Sequence, residues 1–166
     1  MDIDVEFMRV ALAEAKEALA MGEVPVGALL VMGGEIVSRA HNSPIALADP
    51  SAHAEVLAIR EASARRRNYR LTGATLYVTL EPCLMCAGAI IHARIERLVF
   101  GARDPKGGAV VSLYQVGCDG RLNHRLQVRE GVLEAESSGL LKDFFRGKRE
   151  LSSTDISDCG GVPKRP

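Results

Sequence analysis

Two short segments hold the residues best suited to chemistry. One is His53-Ala54-Glu55, and the other is Glu81-Pro82-Cys83-Leu84-Met85-Cys86. Cys-x-x-Cys at a helix start lets two sulfurs converge on one point, and the positive end of the helix dipole favours thiolates there. Cys sulfur and His nitrogen are ordinary zinc ligands. Three protein ligands, His53, Cys83 and Cys86, leave a fourth position open to water, as in catalytic zinc sites. Glu55 lies two residues after His53, within reach of the same mouth, where a carboxylate can shuttle protons. A redox role for the Cys pair would leave His53 and Glu55 without work. A structural zinc would want a fourth ligand, and Cys118 and Cys159 fall in a loop and in the tail.

The elements that must position these residues follow from periodicity and breakers. Residues 4–20 read as a helix with Phe7, Val10, Ala11, Ala15 and Ala18 at helical spacing, stopped by Gly22. The apolar run 25–32 suits a buried strand, Gly33-Gly34 a tight hairpin, and 35–40 a second strand. Residues 41–52 read as a loop broken by Pro44 and Pro50. A helix is expected from about His53 to Arg66, and a strand at 74–80, rich in β-formers. Pro82 is expected to open a helix over 83–93. Short strands follow at 97–101 and 125–129, separated by a Gly-rich loop. A last helix is expected over 132–148, with Phe144 and Phe145 partly in the core. Alternation of strands and helices implies an α/β fold, a sheet covered by helices on both faces. The length fits one domain, residues 1–150. The polar stretch 151–166 reads as a disordered tail.

Composition narrows the class. Lys+Arg and Asp+Glu each number 21, so global charge predicts no polyanion partner. The charge is local: Arg60, Arg65, Arg66, Arg67 and Arg70 form one group, and Arg146, Lys148 and Arg149 another. Either can be a solvated helix face or a nucleic-acid footprint. No apolar run is long enough to span a membrane, and the acidic start lacks a secretory pattern. The cysteine spacing fits a reducing, cytoplasmic setting better than a disulfide framework.

His-x-Glu followed by Pro-Cys-x-x-Cys is the signature of the zinc-dependent nucleobase deaminases. The chain resembles that family and, within it, the bacterial tRNA-specific adenosine deaminases of the TadA type, a stock example of the signature. The resemblance rests on GEVPVGA at 22–28, HN at 41–42, DPSAHAE at 49–55 and ATLYVTLEPCLMCAGAIIHARI at 74–95. VFGARDPKGG at 99–108, LNHR at 122–125 and LLKDFFRGKR at 140–149 extend it. SLYQVGCDGR at 112–121 departs from the pattern. The resemblance implies a three-layer α/β/α, cytidine-deaminase-like fold with a mixed five-stranded sheet, a homodimer, and one zinc per subunit. It implies deamination of adenosine to inosine at the wobble position of a tRNA anticodon. Asn42 and Val26 would meet the target nucleotide, Asp104 and Lys106 the anticodon loop, and Arg146 and Arg149 further RNA. Two other readings share the zinc chemistry in whole or part. One is a deaminase of a free base or nucleoside such as cytosine, cytidine or guanine. The other is a zinc-stapled RNA-binding module in which Glu55 has no task.

Overall fold

The computed structural model describes residues 1–155. Most of the expected tail at 151–166 lies outside the described residues, although the last helix continues to Asp155. Ten elements follow one another: α1 (Ile3–Ala20), β1 (Gly27–Met32), β2 (Glu35–His41), α2 (Pro44–Leu47), α3 (Ala54–Arg66), β3 (Thr75–Leu80), α4 (Leu84–His92), β4 (Arg97–Ala102), β5 (Gln127–Arg129) and α5 (Glu134–Asp155).

The strands form one mixed sheet in the order β2-β1-β3-β4-β5. β1 runs antiparallel to β2 and β3, whereas β3, β4 and β5 are parallel. Gly33 and Gly34 both take positive φ, which lets the two-residue turn match the twist of β1 and β2. Alternate side chains sort the core into two layers. Leu30, Leu76, Val78, Leu98 and Phe100 pack with Ala58, Ala62 and Ile90 of α3 and α4. Leu29, Tyr77 and Val99 point the other way, onto Met8 and Ala11 of α1. Helices therefore cover both faces, as the sequence pattern predicts.

α1 comes unusually close to the sheet. A Cβ on Gly27 would fall 2.0 Å from the Ala11 carbonyl oxygen and 2.5 Å from the Ala15 nitrogen. A side chain at 27 would push the helix away, so the small residues Ala11 and Ala15 require a glycine opposite them. At the N-terminal end of α1, Asp2 caps the helix by accepting from the Asp4 N–H at 3.1 Å. Asp4 is itself buried and accepts from Tyr77 Oη at 2.7 Å and from Arg97 at 2.8 and 2.6 Å. Arg129 donates to the same carboxylate. One buried acid thus ties α1 to β3, β4 and β5.

These donors, Arg97 foremost, hold the Asp4 carboxyl far below its ordinary value of 3.8. A depressed folded-state pKa stabilises the protein above the unfolded value, and that contribution fades as pH falls towards the folded one. Asp4→Asn is expected to cost about 2–3 kcal/mol at neutral pH, less than a fully buried pair because both arginines are partly exposed. Urea unfolding of both proteins should show that gap shrinking below about pH 4. A gap that stays constant down to pH 2 would place the effect in packing instead.

Three local expectations change. Residues 44–47 form a one-turn helix, with Pro44 at its first position. Pro82 does not open α4: Cys83 is the N-cap and Pro82 precedes it in extended chain. Phe145 is 46% exposed and Phe144 only half-buried, so neither forms core. Instead they meet edge to face, and the Lys148 ammonium lies 5.1 Å from the Phe144 ring.

Candidate metal centre

β3 separates α3 from α4 in sequence, and both helices begin at the same end of the sheet. His53 is the N-cap of α3 and Cys83 the N-cap of α4, both with extended backbone. An N-cap side chain projects past the helix start, so the two face each other across a short gap. Cys86 joins them from the first turn of α4. The ligand atoms of His53, Cys83 and Cys86 lie within 4.8 Å of one another. The Nδ1 atom of His53 stands 3.6 Å from each sulfur. For tetrahedral zinc, bond lengths of ~2.3 Å to sulfur and ~2.05 Å to nitrogen give an N···S edge of ~3.6 Å. Donor type and spacing both fit zinc, and the ring nitrogen facing the two sulfurs is Nδ1.

Charge gives the same answer. A hydrogen bond from Cys86, and another from His53, hold the Cys83 thiol down to about 4 despite burial. The Cys83 sulfur and burial then push the Cys86 thiol far up, and nearby Glu55 adds to this. The Cys83 interaction also raises His53. Ionisation of Cys83 therefore opposes ionisation of Cys86. A divalent cation resolves that conflict.

Glu55 occupies the first turn of α3 and is 4% exposed. Burial pushes its carboxyl up to about 7. Asn42, also buried, reaches across from the end of β2, and its Oδ1 accepts from the Ala54 N–H at 2.8 Å. It thereby caps the helix that His53 leaves without a side-chain cap. Val26 is buried alongside: its carbonyl accepts from the Asn42 N–H at 3.0 Å, and it packs in the same cluster as Ala54. His53, Cys83 and Cys86 thus converge, with Glu55 in the same first turn of α3 and Asn42 and Val26 joined to its start through Ala54.

Asp104 and Lys106 lie on the loop after β4, which crosses beside Cys83 through a bridge between Cys83 and Gly108. Asp104 turns its carboxylate onto its own loop, accepting from the N–H groups of Lys106 and Gly107 at 3.0 and 3.1 Å. Lys106 is exposed. Arg146 and Arg149 are not drawn to the cluster. Both are exposed on α5, and Arg146 pairs with Asp143 one turn earlier. A surface cavity of about 450 Å³ is lined by residues 111–116, Asp119 and Arg121, and includes none of the cluster.

Sequence reasoning gave Glu81 no task. Its buried carboxylate accepts from the backbone N–H groups of Asp104, Val110, Val111 and Ser112 and from the Ser112 hydroxyl. Burial opposes its ionisation, but these bonds prevail and hold the carboxyl below its usual range. Gly108 is obligatory here, because a Cβ would fall 2.3 Å from the Glu81 carboxyl carbon. Glu81→Gln turns an N–H group towards donors and should cost about 2–4 kcal/mol. Faster amide exchange at Val110, Val111 and Ser112 than at β3 would locate that loss. Uniform acceleration across both segments would contradict it.

Residues 1–102 match the family model described as the cytidine and deoxycytidylate deaminase zinc-binding region. A tRNA-specific adenosine deaminase of Bacillus subtilis (strain 168) is 51% identical over 147 residues, covering 89% of this chain and 91% of its own. One from Haemophilus influenzae (strain ATCC 51907 / DSM 11121 / KW20 / Rd) is 50% identical over 150 residues, 90% and 87% of the two chains. A solved structure from studies of A-to-I editing by tRNA:A34 deaminases at the wobble position of transfer RNA superposes with a TM-score of 0.79 at 48% identity. It covers 82% of this chain and 99% of that one. A structure from work on the guanine deaminase of Nitrosomonas europaea superposes with a TM-score of 0.71 at 22% identity, which shows a shared fold.

Proposed function

The chain belongs to the cytidine and deoxycytidylate deaminase family and, within it, to the tRNA-specific adenosine deaminases, and on that footing we propose that it deaminates adenosine to inosine at the wobble position of a tRNA anticodon. The observation that carries the chemistry is the triangle of His53 Nδ1, Cys83 Sγ and Cys86 Sγ with the buried Glu55 carboxyl beside it. These three side chains would hold one zinc ion per subunit. When bound, zinc supplies a Lewis acid that makes water a nucleophile near neutral pH and stabilises developing oxygen charge.

Glu55 moves the protons. It takes one from the water that attacks C6 of adenine, delivers it to the ring nitrogen, and then assists protonation of the departing amine. Water and adenosine are consumed, and inosine and ammonia leave. A carboxyl poised near 7 can both accept and return a proton at working pH. Asn42 holds its amide by the bond to Ala54, which leaves its NH₂ group to donate to the target nucleotide. Val26 would border the base. The adenine must leave its stack to enter, and that costs least in a single-stranded loop.

Asp104 and Lys106 would meet the anticodon loop from the segment that Glu81 braces, and Arg146 and Arg149 would extend the contact along α5. A homodimer working in the cytoplasm completes the reading. No helix among the described residues is long and apolar enough to cross a membrane. Deamination of a free guanine or cytidine is the competing reading, and the likeness to a guanine deaminase supports it at the level of fold alone. Full-length tRNA with adenosine at the wobble position, an anticodon stem-loop and free nucleosides should be compared for inosine and ammonia. Inosine from both RNAs, with nucleosides inert, is the expected result. Turnover of free nucleosides with inert tRNA would reverse it.

A further inference from the structure

α3 and α4 both start at the metal centre and both end at the opposite edge of the molecule. There the Leu71 N–H bonds the Ala93 carbonyl at 2.7 Å, so the turn after α3 lies against the end of α4. Arg66, Arg67, Tyr69 and Arg70 on that turn are exposed, and Arg94 adjoins them. The arginine group divides here. Arg60 pairs with Asp49, and Arg65 is held by Glu61. Among the described residues, Arg66, Arg67 and Arg70 have no carboxylate partner, and Arg94 bonds only the neutral Asn123. Glu96, an acid, lies beside the same turn, its N–H bonding the Ala74 carbonyl at 3.1 Å. Tyr69 is 67% exposed, with the Arg70 guanidinium 5.6 Å from its ring centroid and donating to its hydroxyl at 3.2 Å. That contact holds a cation outward.

Cations at a helix C-terminus complement the dipole, which explains some of this charge. It does not explain the backbone. Arg67 and Arg94 sit at φ of +52° and +59°, where glycine or asparagine is the unstrained choice and a longer side chain is disfavoured. At both helix ends an arginine occupies the strained position.

We propose that this pole binds the phosphate backbone of the tRNA outside the anticodon loop. The proposal rests on the tRNA reading above. α3 has 13 residues, which at 1.5 Å each puts the pole about 20 Å from His53. A nucleoside in the site cannot touch it, whereas a structured polynucleotide extending from the site can.

The triple variant Arg66→Gln Arg67→Gln Arg70→Gln tests this with full-length tRNA carrying adenosine at the wobble position. Its KM should rise about tenfold or more at low salt, with kcat at saturating tRNA unchanged. The slope of log affinity against log salt should fall by about two to three. The control Arg9→Gln Lys16→Gln, on exposed positions of α1, should leave both quantities unaltered. Wild-type KM and salt slope in the triple variant overturn the proposal while inosine formation still supports the function. An equal loss in the control overturns it as well, because net charge then suffices. Retained tRNA binding with lost binding to phosphatidylserine vesicles would assign the pole to a membrane and reject it. A wild-type protein that forms no inosine fails the function itself, a separate result.

Discussion

Glu55→Gln is expected to lower kcat for inosine formation by about 10²–10⁴-fold while leaving the zinc content at one per chain. The side chain keeps its size, so packing in the first turn of α3 is preserved, and the amide relieves a buried carboxyl of its charge. Stability should therefore hold or rise slightly. Binding of tRNA should also persist, because Glu55 is buried in the site and its proposed work is proton transfer. The checks are single-turnover inosine formation, metal analysis of the purified protein and tRNA affinity, done together. Retained inosine formation with normal zinc would mean that another group moves the proton and would overturn the role given to Glu55. Loss of zinc together with activity would make Glu55 a support of the metal site.

Cys86→Ala should abolish activity outright and, unlike the first variant, should also remove the metal. Two ligands remain, and two neutral or singly charged donors bind zinc poorly against competing water. The cavity left by one sulfur is small, and a buried thiol behaves much as a small apolar group. The metal-free proteins should therefore be of similar stability. They separate when zinc is added: the native chain gains about 4 kcal/mol at a thousandfold excess over its dissociation constant, and the variant gains little. Thermal unfolding with and without a chelator reads this directly. A chelator-insensitive melting temperature in the native chain would argue against a resident ion.

Much of this was legible because the informative signals were local. A continuous apolar run marked β1, a run rich in β-formers marked β3, Gly33-Gly34 marked the hairpin, and the His-x-Glu and Cys-x-x-Cys spacings marked the residues that meet at the centre. What escaped depends on partners far along the chain. Glu81 reads as an ordinary acid before a proline, yet its partners are backbone N–H groups 23 to 31 residues away in a segment without regular structure. Such donors exist at every non-proline residue, so no side-chain pattern announces them. The capping of α3 by Asn42 is hidden for the same reason. Phe144 and Phe145 misled because an apolar pair on a helix fits either a core or a surface aromatic step.

The cap that Asn42 supplies also bears on how this protein could change over generations. The residue proposed to greet the nucleotide is the one that secures the start of the catalytic helix. A mutation at 42 is therefore pleiotropic: any altered preference for the base arrives with a loosened His53 and Glu55. The loop held by Glu81 carries no such double duty towards α3. Drift in selectivity is thus channelled to that loop, while Asn42 stays locked by the scaffold as much as by the substrate.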